Sequence, residues 1–404
     1  MKTTSFILAI AISILFVPVI MAGKLSPDLS SEISNMDKDS LVAVWIQLPK
    51  VKTLSVKKSK SAALKTRAER YNQKYNFLKS SHKASQQQLL GSLNRLRASG
   101  KSTQIKSSWL ANVVEAKIAA GELEKLARRN DIKTIYSLPE LTLIKADNTR
   151  PQNSPSFSAG TQSNLIYINA DQAWLAGFTG AGRLICSFDT GVDGDHPALY
   201  NSWKGHDGDS AAAWFDPRDG QSFPNAKPGG FPGTYAHGTH TMGIMVGHNS
   251  NDTVGVALDA KWISAAIVDI TGASYIDAFE WAANPDGDPN SMDDVPDVIN
   301  HSWGIRDIGC QEVFYELIEN LEALGIVNIF AAGNDGAGAS TIRNPANRAL
   351  DSIDCFAVGA VELTNPTTIW SGSSRGPSDC NGAIKPNVTA PGQGVRSTTP
   401  NGFY

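Results

Sequence analysis

Three short runs of this sequence carry side chains suited to moving a proton and steadying a negative charge. Asp189-Thr190-Gly191-Val192-Asp193 closes an apolar stretch over 184–188. A carboxylate at a strand end, held by backbone donors, can orient an imidazole. His237-Gly238-Thr239-His240-Thr241-Met242-Gly243 lies where a loop enters a helix. The positive end of a helix keeps a histidine neutral there, which suits a general base. Phe330-Ala331-Ala332-Gly333-Asn334-Asp335-Gly336 closes another apolar run. Asn334 offers an N–H donor to a developing oxyanion, and its small neighbours let a substrate backbone come close. Each run alone also has a plain structural reading: a strand end, a structural histidine, an Asn-Asp-Gly turn.

Other chemistries fit less well. Aspartic proteases need two carboxylates sharing a proton, and the chain holds no second Asp-Thr-Gly or Asp-Ser-Gly. His237 and His240 are three apart without an intervening Glu, unlike the helical zinc pattern. Gly372-Ser373-Ser374-Arg375-Gly376 satisfies Gly-x-Ser-x-Gly, but hydrolases of that type place the histidine after the serine. All seven histidines here precede Ser374.

The elements that must position these residues alternate. Apolar strands are expected over 184–189, 263–269, 298–302, 326–332 and 356–361, with helices over 239–246, 274–283 and 312–324. In the last helix Val313, Phe314, Leu317, Ile318, Leu321 and Leu324 share one face, Glu312, Glu316, Glu319 and Glu322 the other, and Gly325 stops it. Such alternation implies an α/β fold with a doubly wound, mostly parallel sheet, and reactive residues at the C-terminal strand ends.

Ahead of this unit the chain changes character. Residues 1–22 read as a signal peptide: Lys2, an apolar run, then small residues. Residues 23–150 read as a small α+β module and linker, with extended runs over 41–48, 109–118 and 132–138 and a long basic helix over 61–97. Residues 151–404 form the remaining unit. Up to Arg150 there are 25 Lys and Arg against 11 Asp and Glu; beyond it the balance is 11 against 28. Opposite charge suits two pieces that bind each other. No nucleic-acid module accompanies the basic residues, so nucleic acid is not an expected partner, and no stable membrane anchor is expected either. Export permits disulfides. Cys186 reads as a buried thiol, while Cys310, Cys355 and Cys380 allow one bond with its partners open. No cofactor or catalytic metal is expected. Asp286, Asp288, Asn290, Asp294 and Asp297 have calcium-loop spacing, but Ser291 replaces the turn glycine and the last ligand is Asp. That run reads first as a solvated acidic loop, with a structural calcium ion as the alternative.

The three runs in this order resemble the subtilisin-like serine proteases, the subtilases of peptidase type S8. Gly255-Val256-Ala257, Asn300-His301-Ser302-Trp303-Gly304, Val358-Gly359-Ala360 and Ser373-Ser374-Arg375-Gly376-Pro377 are similar to landmarks of that family, as is the run from Lys385 to Gly392. Trp281 and Pro296-Asp297-Val298-Ile299-Asn300 resemble its bacillopeptidase F-like branch. The resemblance covers the chain from about Ala170 onward and implies a secreted zymogen that hydrolyses extended polypeptide by a Ser-His-Asp mechanism. By it, Asp189 orients, His237 is the general base and Asn334 donates to the oxyanion. Ser302, Trp303 and Gly304 pair with substrate and wall the first pocket, opposite Ala332 and Gly333. The leading module resembles an inhibitory propeptide, making it a partner of its own enzyme.

One departure stands out. The family's nucleophile lies in a Gly-Thr-Ser-Met-Ala type motif after the Ala-Pro-Gly segment, and these 404 residues contain no such motif. Ser397 follows Ala-Pro-Gly but lacks its surroundings. The expectation is an incomplete protease sequence whose 404 residues do not turn over substrate; a non-catalytic peptide-binding or decoy protein is the alternative.

Overall fold

A computed structural model describes residues 23–51, 66–138, 141–144, 160–218, 220–226, 236–268, 275–305, 310, 312–350 and 353–404. The expected signal over 1–22 and most of the linker lie outside these residues.

Near the N-terminus, strands β1 (Lys24–Leu25), β2 (Leu41–Gln47), β3 (Ser102–Ser107), β4 (Val113–Ala119) and β5 (Thr134–Ser137) form one sheet ordered β1-β5-β2-β4-β3. Helices α1 (Pro27–Ile33), α2 (Arg67–Ala98) and α3 (Ala120–Ala127) connect them. Thr66 starts α2 reciprocally: its Oγ1 accepts from Glu69 N at 3.2 Å, and Glu69 Oε2 accepts from Thr66 N at 2.8 Å. The two-residue strand period sends Val42, Val44 and Ile46 into a core shared with Leu89, Leu93 and Leu123. Trp45 points to the opposite face. The extended run expected over 109–118 is instead a turn followed by β4, and β3 is a strand the sequence did not announce. Leu110 and Ala111 are fully buried because the turn packs against the second unit.

The segment after β5 carries β6 (Thr142–Leu143). It leaves the first sheet and pairs antiparallel with β11 (Trp303–Gly304) of the second unit.

That unit is built on a parallel sheet of β7 (Leu184–Asp189), β8 (Trp214–Phe215), β9 (Lys261–Ala266), β10 (Val298–His301), β12 (Val327–Ala331), β13 (Phe356–Glu362) and β14 (Val388–Gln393). Their order is β14-β13-β12-β10-β7-β9-β8. Helices α4 (Ser163–Tyr167) and α5 (Ala170–Leu175) precede it, and α6 (His237–Val246), α7 (Tyr275–Ala283) and α8 (Glu312–Leu324) run between its strands, giving the expected α/β class. All six residues of β7 are buried, as a central parallel strand requires. β9 begins two residues earlier than expected: Trp262 belongs to it, fully buried, with Nε1 donating to Leu199 O at 2.9 Å. In α8 Phe314, Leu317, Ile318, Leu321 and Leu324 are buried, and Gly325, at φ 92°, ends the helix. On its glutamate face Glu316 is covered too, only 4% exposed beneath the first unit. The disulfide joins Cys310 to Cys380 with Cα atoms 5.6 Å apart, and Cys186 and Cys355 are buried thiols. Among the described residues no helix is long and apolar enough to cross a membrane.

The outer face of the first sheet closes on α7 and α8. Trp45 meets Tyr275 and Phe314 with ring centroids 6.5 and 5.1 Å apart. Tyr71 donates its hydroxyl to Ala283 O at 2.6 Å. Glu280 Oε1 accepts from Ser108 Oγ, Trp109 N and Leu110 N at 2.6, 2.7 and 3.3 Å. Glu316 Oε1 accepts from Asn112 N at 3.1 Å. Burial pushes both carboxyls above the usual range, against the pull of these donors.

Candidate active site

Asp189 ends β7 and is fully buried. Its Oδ1 accepts from Thr190 N at 2.7 Å, and its Oδ2 from Thr241 Oγ1 at 3.2 Å. These donors fix the carboxylate so that both oxygens face His237 Nδ1, at 2.8 and 3.0 Å. His237 is the first residue of α6, which begins here rather than at Thr239. The approach of helix to strand requires a glycine next. A Cβ at Gly238 would lie 2.2 Å from Gly191 O, whereas the bare backbone lets Gly238 N donate to Thr190 Oγ1 at 3.2 Å. Thr239 Oγ1 accepts from Asp193 N at 3.0 Å, tying the first two runs together again. His240 lines the crevice as well, where burial, with the charge of His237, brings its pKa down to about 4.

His237 opens on a crevice of about 610 Å³ whose lining includes Ser302, Ala332, Gly333 and Asn334. Asp189 lies behind the imidazole. The third run follows β12, so parallel register places it at the same sheet edge as Asp189. Trp303 and Gly304 present backbone rather than side chains: Trp303 is fully buried among His301, Phe314 and Phe330. What that backbone holds is β6. Trp303 faces Leu143, Gly304 faces Thr142, and Ile144 N donates to Ser302 O at 3.3 Å. Leu143 and Ile144 line the crevice beside His237.

Neither alternative serine is exposed for attack. Ser374 is 1% exposed, and its Oγ accepts from Asp335 N at 3.0 Å. Ser397, also 1% exposed, donates to His240 O at 2.8 Å. In the acidic loop the carboxylates turn onto their own backbone. Asp286, Asp288 and Asp294 accept from the amides of Asp288, Asn290 and Asp286 at 2.7, 2.9 and 2.7 Å. Asp297 pairs with Arg67 and Arg183 at 2.9 and 3.5 Å.

Two contributors escaped the sequence reading. Leu141 to Ile144 were placed at the end of the leading module with no element assigned, although their alternating apolar pattern was a strand signal. Arg343 lies outside every recognised run. Its Nη1 donates to Leu143 O and Thr142 Oγ1, both at 3.3 Å.

Comparison with known proteins matches residues 180–403 to the Subtilase family, Peptidase_S8. Bacillopeptidase F of Bacillus subtilis (strain 168) is 29% identical over 410 aligned residues, covering 95% of this chain and 28% of that protein. Subtilisin E of the same organism is 27% identical over 293 residues, 71% of this chain and 64% of its own. The minor extracellular protease Vpr, again of Bacillus subtilis (strain 168), is 28% identical over 254 residues, 61% of this chain and 29% of its own. The chain thus spans less than two thirds of each of these relatives' lengths. A match over more than half of the chain, taking in all three runs that meet at the crevice, shows that it belongs to the subtilase family of serine-type endopeptidases.

Proposed function

We propose that this chain is the zymogen of a secreted serine endopeptidase acting on extended polypeptide. Asp189 holds His237 as the neutral Nδ1–H tautomer, which leaves Nε2 to take a proton from a seryl hydroxyl and return it to the leaving amine. Asn334 stabilises the oxyanion. The 2.8 Å bond between Asp189 and His237 at the crevice carries the reading, and no metal or organic cofactor is needed for it.

The first unit then acts as propeptide and inhibitor. Residues 141–144 lie where substrate would, adding a strand to Trp303-Gly304. Leu143 and Ile144 line the crevice with His237, so self-cleavage is expected beyond Ile144. These 404 residues hold no Gly-Thr-Ser-Met-Ala type motif, so the chain alone binds this strand without turnover.

The test compares the 404-residue chain with the protein expressed from its complete native reading frame, on an unfolded protein substrate. Cleavage sensitive to a serine-directed inhibitor is expected only from the latter, and His237→Ala should lower its turnover by on the order of 10⁴-fold or more. Robust inhibitor-sensitive activity from the 404-residue chain would overturn the assignment and direct attention to Ser374 and Ser397.

A further inference from the structure

Arg343 reaches the peptide that lies in the crevice, from between its two walls. A Cβ placed on Gly304 would fall 2.6 Å from Arg343 Cβ, and one on Gly333 would fall 3.6 Å from Arg343 Cγ. The backbone is anchored on both sides: Arg343 N donates to Ala332 O at 3.4 Å, and Ile305 N donates to Asn344 O at 2.8 Å. Asp335 grips the guanidinium through two bonds, Nη2 to Oδ1 at 2.9 Å and Nε to Oδ2 at 2.5 Å. Both bonds to Asp335 are independent of the peptide, so they orient the fork, and with β6 in place the side chain is only 5% exposed.

Its Nη1 meets Leu143 O, a group every peptide has, and Thr142 Oγ1, which few residues offer. Thr142 Oγ1 also donates to Gly304 O at 2.7 Å. A side chain at this position must therefore accept from a guanidinium and donate to a carbonyl from one atom close to the backbone. Hydroxyls of Ser and Thr do both. Valine, of the same shape, would leave the carbonyl and the N–H short of partners, and such sites reject the analogue strongly.

We propose that Arg343 is a specificity-determining residue, which makes the crevice select extended polypeptides with Ser or Thr at the position held by Thr142, two residues before that of Ile144. This rests on the crevice being the substrate site. Hydrogen exchange of the Ile144 amide in the full 404-residue chain, at one pH, tests it through a double-mutant cycle. Thr142→Val should speed exchange about tenfold and Arg343→Met about fivefold, while Thr142→Ser stays within about twofold of the parent. In the double variant the loss should stay well below the product of the two, at about fifteenfold, because either change alone removes the contact between Arg343 and Thr142, whereas the bond to Leu143 O is lost only with the arginine. An additive loss of about fiftyfold would mean that Arg343 only braces Asp335 and the walls, and would overturn the proposal. An Ile144 amide unprotected in the parent chain would instead remove the underlying reading of the crevice.

Discussion

His301 and His237 show how position alone gives one residue type two natures. His301 sits in the middle of the sheet, fully buried, stacked on Phe330 with centroids 4.3 Å apart and bonded through Nε2 to Asn328 Oδ1 at 3.0 Å. No carboxylate compensates, and burial brings its pKa down to about 3. His237 stands at a helix start with two carboxylate oxygens within 3.0 Å. A folded-state pKa below the unfolded value contributes stability that is present above about 6.5 and lost as pH falls towards 3. His301→Leu should therefore shrink the drop in urea midpoint between pH 7 and pH 4. It should not abolish it, because His240, lowered to about 4, titrates with the same sign. An unchanged drop would show that His301 bears no such penalty.

The turn over 108–112 concentrates the docking of one unit on the other. Glu280 of α7 takes three donors from it and Glu316 of α8 a fourth. Glu280→Ala would strand those donors in a buried interface at a cost of about 2 kcal/mol, or roughly thirtyfold faster hydrogen exchange across the turn. Glu280→Gln keeps one acceptor and should cost less. Both glutamates have raised values, so their contribution is full below the ordinary carboxyl range and fades as pH rises through the raised one. His82, lowered by burial against Trp109 O and facing Glu316, works the other way and weakens docking in acid. This turn also marks where the sequence stops being legible. Strands β7, β10 and β12, with the runs that follow β7 and β12, could be read because buried parallel strands are apolar and end in small residues. Trp109, Leu110 and Ala111 read as strand because apolarity records burial, whatever does the burying. Glu316 and Glu319 read as a polar face, since no pattern within one helix reveals that a distant segment will lie across it. Arg343 has no local signature; only its placement between the two glycine-bearing walls shows what it does.

Across the whole molecule the charge split becomes contacts. Lys50 meets Glu319, Arg67 meets Asp297 and Lys106 meets Asp277, all between the basic first part and the acidic second. These pairs are partly exposed, so each contributes little and salt screens it. Once the first unit is freed and added to its enzyme, raising salt from 50 mM to 1 M should weaken inhibition by on the order of tenfold. Salt-independent inhibition would leave the apolar contacts around Trp45 and the buried bonds to Glu280 and Glu316 as the whole of the attraction. The placement of β6 on β11 has a last consequence. A strand tethered to its groove competes at an effective concentration in the millimolar range, however thinly the protein is spread. Severing the chain beyond Ile144 abolishes that advantage, and occupancy then follows the actual concentration of the two pieces. Under the proposed function, latency holds while the two pieces stay concentrated and lapses on dilution, so the volume into which the protein is released becomes the timer.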